Sequence, residues 1–151
     1  MQSVCIFCGA RSGSVPQYRE SALTLAEELV RRDITLIYGG SSIGLMGDIA
    51  SHALAEGGKV IGVIPDVLAE KNFAHPELTD THWVKDMSAR KSVMTDLSDG
   101  FIALPGGVGT LDELFEVLAL NQVGSQNKPI ALLNTLNYYE LLLQFLNHAD
   151  Q

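Results

Sequence analysis

The sequence predicts an α/β protein built on an open parallel sheet, doubly wound, with helices on both faces. Three observations lead there. Short apolar, β-branched runs alternate with longer stretches of helical spacing. Several of these runs are apolar nearly throughout, as strands covered on both sides must be. At 151 residues, 46% hydrophobic and 19% charged, the chain also has the size and composition of one globular domain. No repeat, low-complexity tract or linker divides residues 1–151.

Val4–Cys8 opens the sheet, and Tyr18–Arg31 follows as a helix with Leu23, Ala26, Leu29 and Val30 on its apolar side. Thr35–Tyr38 is the second strand, Gly44–Glu56 the second helix and Lys59–Ile64 the third strand. Pro65 to Thr81 reads as the longest irregular loop, a place where function often sits. Then come strand His82–Lys85, helix Ala89–Leu97 and strand Gly100–Leu104. Helix Leu111–Gln122 carries Leu114, Leu118 and Asn121 at helical spacing, and strand Pro129–Leu133 and helix Tyr138–His148 close the chain.

Composition excludes some functions. A formal net charge of −8 argues against a general binder of nucleic acid or anionic membrane. No apolar run approaches the length of a membrane span, and the N-terminus lacks the basic start of a signal peptide, so a cytoplasmic protein is expected. Cys5 and Cys8 form a CxxC, yet in an extended strand they stand about 10 Å apart and face opposite ways. A disulfide needs Cα atoms within roughly 7 Å, so buried structural thiols are expected. The four histidines show no metal-ligand spacing, and no metal is predicted.

In sheets of this kind ligands bind beyond the carboxyl ends of the strands. CGARSG, YGGSSIG and LPGGVG all fall there. LPGGVGTLDE resembles a phosphate seat, with Gly106, Gly107 and Gly109 before a strong helix, but it is neither a Walker motif nor a complete dinucleotide fingerprint. YGGSSIGLMG repeats the design after the second strand, either as a ligand turn or as a tight strand-to-helix turn in which glycine permits close packing.

No lysine follows the seat; Asp112 and Glu113 do. Thr110 and Glu113 fit the spacing of a capping box, which is one explanation for the acid. The other is chemical: the backbone holds a phosphate while the carboxylate addresses a sugar carbon that becomes positive as a glycosidic bond breaks. Arg90 and Lys91, adjacent in DMSARKSVM, could supply the missing cation at the same end of the sheet.

Together these segments resemble the LOG family of cytokinin-activating phosphoribohydrolases. PGGVGTLDE resembles its PGGxGTxxE motif, and MSARK matches the accompanying Met-x-x-Arg-Lys segment. FCGARSG, YGGSSIGLMG and KPIALLN with Tyr138 and Tyr139 follow in family order along essentially the whole chain.

The resemblance implies a Rossmann-like fold and hydrolysis of a nucleoside 5′-monophosphate, ideally an N6-substituted AMP, to free base and ribose 5-phosphate. It implies Arg90 and Glu113 as the catalytic pair. Gly106, Gly107, Val108, Gly109 and Thr110 would bind phosphate, with Lys91, Leu111 and Asp112 close to the ligand. It further implies a homodimer and no cofactor, because nothing beyond a lone lysine suggests pyridoxal phosphate. Asn72, Leu120 and Ser41 depart from the family pattern, where Glu, Trp and Gly are common. Relatives usually continue past the last helix, so a short or truncated form is expected. The competing expectation is a Rossmann-like nucleotide carrier or sensor without turnover.

Overall fold

The computed structural model describes residues 1–71 and 73–150, so Asn72, one of the departures noted above, lies outside the described residues. Six strands form one parallel sheet: β1 (Ser3–Phe7), β2 (Thr35–Tyr38), β3 (Val60–Pro65), β4 (Asp80–Val84), β5 (Gly100–Ala103) and β6 (Ile130–Leu132), in the order β4-β3-β2-β1-β5-β6. Strand β1 is flanked by both β2 and β5, with Cys5 opposite Ile37 on one side and Phe101 on the other. The strand order therefore reverses at β1 and β5, where such sheets bind ligands.

Five helices cover the sheet: α1 (Pro16–Arg31), α2 (Gly44–Ala55), α3 (Met87–Leu97), α4 (Val108–Gln122) and α5 (Glu140–Ala149). Side chains alternate faces along a strand, and β1 shows it residue by residue. Val4, Ile6 and Cys8 pack with Ala22, Ala26 and Leu29 of α1 and with Leu45 and Ile49 of α2. Cys5 and Phe7 pack on the other side with Met94 of α3 and with Leu114 and Val117 of α4. Both faces are dry, which is why these strands read as continuous apolar runs.

The two thiols are free, buried and on opposite faces, as their spacing predicts. Burial pushes both up, Cys8 to about 12, so neither is a ready nucleophile.

Boundaries moved where polar residues carried the signal. Strand β4 begins at Asp80, not His82, because its ladder with β3 starts there and an edge strand tolerates polar residues. Strand β6, also at an edge, pairs only through Ile130–Leu132. Helix α1 starts at Pro16, proline being well suited to a first helical position. Helix α3 starts at Met87 because Asp86 caps it, accepting from the Ala89 amide at 2.8 Å.

The Pro65–Thr81 stretch is more ordered than expected. It contains a 3₁₀ turn, Asp66–Lys71, and then folds back on the second glycine-rich turn. There the His75 amide donates to Gly40 O at 2.9 Å and the Ser42 amide to Phe73 O at 2.8 Å. His75 itself is buried, its Nε2 2.9 Å from Ser51 Oγ, and acts as a strut for this loop.

Candidate active site

The turns after β1 and β5 meet at the switch point. They approach so closely that a Cβ on Gly9 would stand 3.5 Å from the Gly106 Cα. Two tyrosines at the entrance to α5 hold the second turn. Tyr138 donates its hydroxyl to Gly106 O at 2.6 Å, and Tyr139 donates to Leu104 O. Two adjoining hollows open here, sharing Gly9, Ala10 and Gly107. One, of about 410 Å³, runs between the first turn, Tyr18 and Tyr138. The other, of about 280 Å³, holds Arg90, Glu113, Thr110, Gly109, Met46 and Met87.

Helix α4 aims its N-terminus at this cleft. Gly107 is its N-cap, with no side-chain cap, so the first-turn amides of Val108, Gly109 and Thr110 have no intrahelical acceptor. The Leu111 amide is already engaged, donating to Gly107 O at 3.1 Å. The capping box is therefore not formed. Thr110 lies three residues inside the helix rather than at its N-cap, which frees Glu113 from that task. A side chain on Gly106 would overlap Thr110, so this glycine is required by packing. A Cβ on Gly107 or Gly109 would meet nothing within 4 Å. Those two glycines leave room that the protein itself does not use.

Arg90 is only 6% exposed, although a lone basic residue on a helix normally reaches water. Its Nη2 donates to Gly39 O at 2.6 Å and its Nε to Val63 O at 3.0 Å, while Nη1 lies 3.8 Å from Met87 Sδ. A side chain on Gly39 would collide with the guanidinium, so the YGG turn serves to seat Arg90. Of the two readings of this turn, a ligand turn and a turn whose glycine permits close packing, the geometry at Gly39 is that of close packing. Burial lowers the Arg90 pKa from its ordinary value, opposed chiefly by the negative charge of Glu113. Among the described residues no carboxylate pairs directly with Arg90, whose partners are neutral carbonyls and a thioether. A buried cation held this way retains its attraction for an anion.

Glu113 sits one helical turn past the open amides. Burial raises its carboxyl from the ordinary 4.5 to about 7. Arg90 pulls it down and Asp112 pushes it up, with smaller opposing effects from Lys91 and Glu116. Its side chain is only half-buried, because the cleft reaches it. A carboxyl of this kind exchanges protons near neutrality, as a general base should.

A family model described as "Possible lysine decarboxylase" matches residues 46–151. A cytokinin riboside 5′-monophosphate phosphoribohydrolase of Rhodococcoides fascians is 47% identical over 149 residues, covering 98% of this chain and 75% of that protein. A phosphoribohydrolase of the same name from Arabidopsis thaliana is 47% identical over 147 residues, covering 97% of this chain and 68% of its own. The chain belongs to the LOG family.

Among solved structures, the molybdenum cofactor binding protein of Rippkaea orientalis superimposes with a TM-score of 0.73 at 24% identity, covering 97% of this chain and 85% of its own. The molybdenum cofactor carrier protein of Chlamydomonas reinhardtii gives 0.74 at 22%, with coverages of 98% and 86%. At such identities the likeness is one of fold.

The LOG motif segments converge in this structure, but their residues divide. Arg90, Glu113, Gly107, Gly109, Thr110 and Asp112 line the cleft, and Gly106 shapes its floor. Val108 is 84% exposed, and Leu111 packs its side chain against the core, so each can serve a ligand only through its backbone. The Leu111 amide is committed to the helix. Lys91 does not line the cleft; its Nζ stands 3.1 Å from Asp112 Oδ2 and 2.6 Å from Glu116 Oε2, and these partners raise its pKa.

Met46, Met87 and Tyr138 stand in motif segments quoted above, but sequence reasoning assigned them no role, because they act by shape and by one hydroxyl. Gly109 yields a clean test. Gly109→Ala should stabilise α4 by about 0.5–1 kcal/mol, as alanine does over glycine inside a helix. The same methyl should raise KM by an order of magnitude or more by filling ligand space. A thermal melt beside a substrate titration checks both.

Proposed function

We propose that this protein is a phosphoribohydrolase that cleaves the N-glycosidic bond of AMP or an N6-substituted AMP, a cytokinin riboside 5′-monophosphate. The products are the free base and ribose 5-phosphate. Relatives named for this reaction, 47% identical over nearly the whole chain, support the substrate class. The observation that carries the reading is the pairing of a buried cation without a carboxylate partner and a carboxyl poised near pH 7, in one cleft beside an open helix N-terminus.

The phosphate rests on the amides of α4, where the helix dipole and open N–H groups favour an anion. Gly107 and Gly109 let it approach. The bond between C1′ and the purine nitrogen breaks with its electrons going to the base, and Arg90 steadies that negative charge. Glu113 faces the sugar, stabilises the cation developing at C1′ and takes a proton from the attacking water. The oxygen of that water becomes the new hydroxyl on C1′, and the base takes up a proton. Electrons are conserved, so no redox cofactor is needed, and none is proposed.

Residues 1–151 act as one domain of a cytoplasmic protein; no helix among the described residues is long and apolar enough to cross a membrane. Leu141 and Phe145 on α5 are 79% and 62% exposed, which supports a homodimer with helices at its interface.

Chromatography of purified protein incubated with AMP and with isopentenyl-AMP tests the reading. Release of free base and ribose 5-phosphate is expected, and the ratio of rates identifies the preferred substrate. Saturable binding of both nucleotides without release would replace the hydrolase by a carrier or sensor.

A further inference from the structure

The side of Glu113 away from the cleft is not sealed by apolar packing. Behind it lies a chamber of about 10 Å³ lined by Phe7, Lys91, Thr95, Glu113, Glu116 and Val117. That volume suits a single water, provided that the walls offer polar partners. Here four of the six residues do. Thr95 and Glu116 also line a recess on the outer surface between α3 and α4, of about 400 Å³. The cleft, the chamber and the recess are thus linked through shared residues, Glu113 on the inside and Glu116 with Thr95 on the outside.

Glu116 is equipped for a role there. Its Oε2 is closed to solvent, and Lys91 Nζ stands 2.6 Å away as an ion-pair partner. Lys91 Nζ occupies one side of that oxygen, and a carboxylate oxygen carries a second lone pair, which leaves it acceptor capacity toward the chamber. Lys91 is held in place by Asp112 as well, at 3.1 Å.

We propose that the chamber holds one water joining Glu113 to Glu116, and that this is the route by which Glu113 returns its proton to solvent while substrate covers the cleft. The inference rests on the function proposed above, in which Glu113 takes a proton at each turnover. The O–H bond of Glu113 breaks, and the chamber water accepts that proton and releases one of its own to Glu116 Oε2. The Glu116 carboxyl then turns about its Cγ–Cδ bond to bring that proton to the half-exposed side, where it passes to water in the recess. Protons balance, and no electron changes hands.

The charged and titratable groups around Glu113 are Arg90 and Lys91 of α3, Asp112 and Glu116 of α4, and the thiols of Cys5 and Cys8 from β1. Of these, Glu116 and Lys91 alone line the chamber with it. Glu116 is a positioning and relay residue, since it reaches the reaction only through Glu113.

The test compares wild type, Glu116→Gln and Thr95→Val. With Glu116→Gln, kcat should fall about tenfold, a modest part of what proton transfer contributes, with KM within twofold and with imidazole buffer restoring the rate. Thr95→Val removes the chamber hydroxyl without changing charge and should show the same buffer-restored loss in milder form. In carbon-13 spectra of glutamate-labelled protein, the Glu113 midpoint should move to lower pH in Glu116→Gln. Full kcat in both variants beside an active wild type overturns the route, as does a loss that buffer cannot restore. An inactive wild type refutes the hydrolase reading; an unmoved Glu113 midpoint then overturns the coupling by itself.

Discussion

Glu113→Gln is expected to abolish base release, lowering kcat by about 10²- to 10⁴-fold, the range that a positioned acid or base contributes. The substitution keeps size and shape while removing the charge that the proposed reaction places at the sugar. KM should change little, because the function proposed here assigns the phosphate to the open amides of α4 and not to this side chain. Single-turnover measurements with AMP check the split. A variant that retains the wild-type rate would remove Glu113 from the chemistry.

The pH dependence follows from the same carboxyl. Its folded pKa, about 7, lies above the ordinary 4.5, chiefly through burial. The active form is the carboxylate, so kcat/KM of the wild type should fall as pH drops below about 7, tenfold per unit. Stability runs the other way. The folded protein binds this proton more tightly than the unfolded chain, so Glu113 contributes stability that is full below pH 4.5 and lost as pH rises through 7. Glu113→Gln never ionises there, so it should melt higher than wild type at pH 8 and converge with it at pH 4. Activity and stability moving in opposite directions would mark a group retained for function against the interest of the fold.

Much of this was legible in the sequence, for physical reasons. Strands buried on both faces leave unbroken apolar runs, and those over Val4, Thr35 and Gly100 located the three central strands. Edge strands β4 and β6 face less protein, so their polar ends gave no apolar boundary. The glycine-rich turn before α4 was visible because glycines before a helix are rarely accidental. Its internal logic was not: Gly106 is needed by Thr110, whereas Gly107 and Gly109 are needed by nothing in the protein. The Thr110–Glu113 spacing pointed to a cap because spacing cannot say where a helix begins, and α4 starts two residues before Thr110. Spacing alone left open which of the adjacent Arg90 and Lys91 would supply a cation to the cleft. They diverge because neighbours on a helix are turned by about 100°, which sends one under the sheet ends and the other toward α4.

Removing the Arg90 guanidinium should be the most damaging single change to this site. Arg90→Ala withdraws donors from Gly39 O and Val63 O. Each lost charged hydrogen bond is worth about 1.5–3 kcal/mol, so the variant should be less stable as well as inactive. Such a result alone would not distinguish chemistry from unfolding. Two milder changes do. Arg90→Lys keeps the charge but cannot span both carbonyls while facing the cleft. Gly39→Ala leaves the arginine intact and occupies the space of its guanidinium, forcing it out of its seat. Both should lower kcat strongly in protein that still melts cooperatively. They should also leave a signature at Glu113. Arg90 is the strongest influence holding that carboxyl down, so displacing its charge lets the pKa rise. The acid limb of kcat/KM should therefore move to higher pH in Gly39→Ala, opposite to its shift in Glu116→Gln. A limb that stays at about pH 7 after Arg90 is displaced would mean that the arginine and the acid do not share one site.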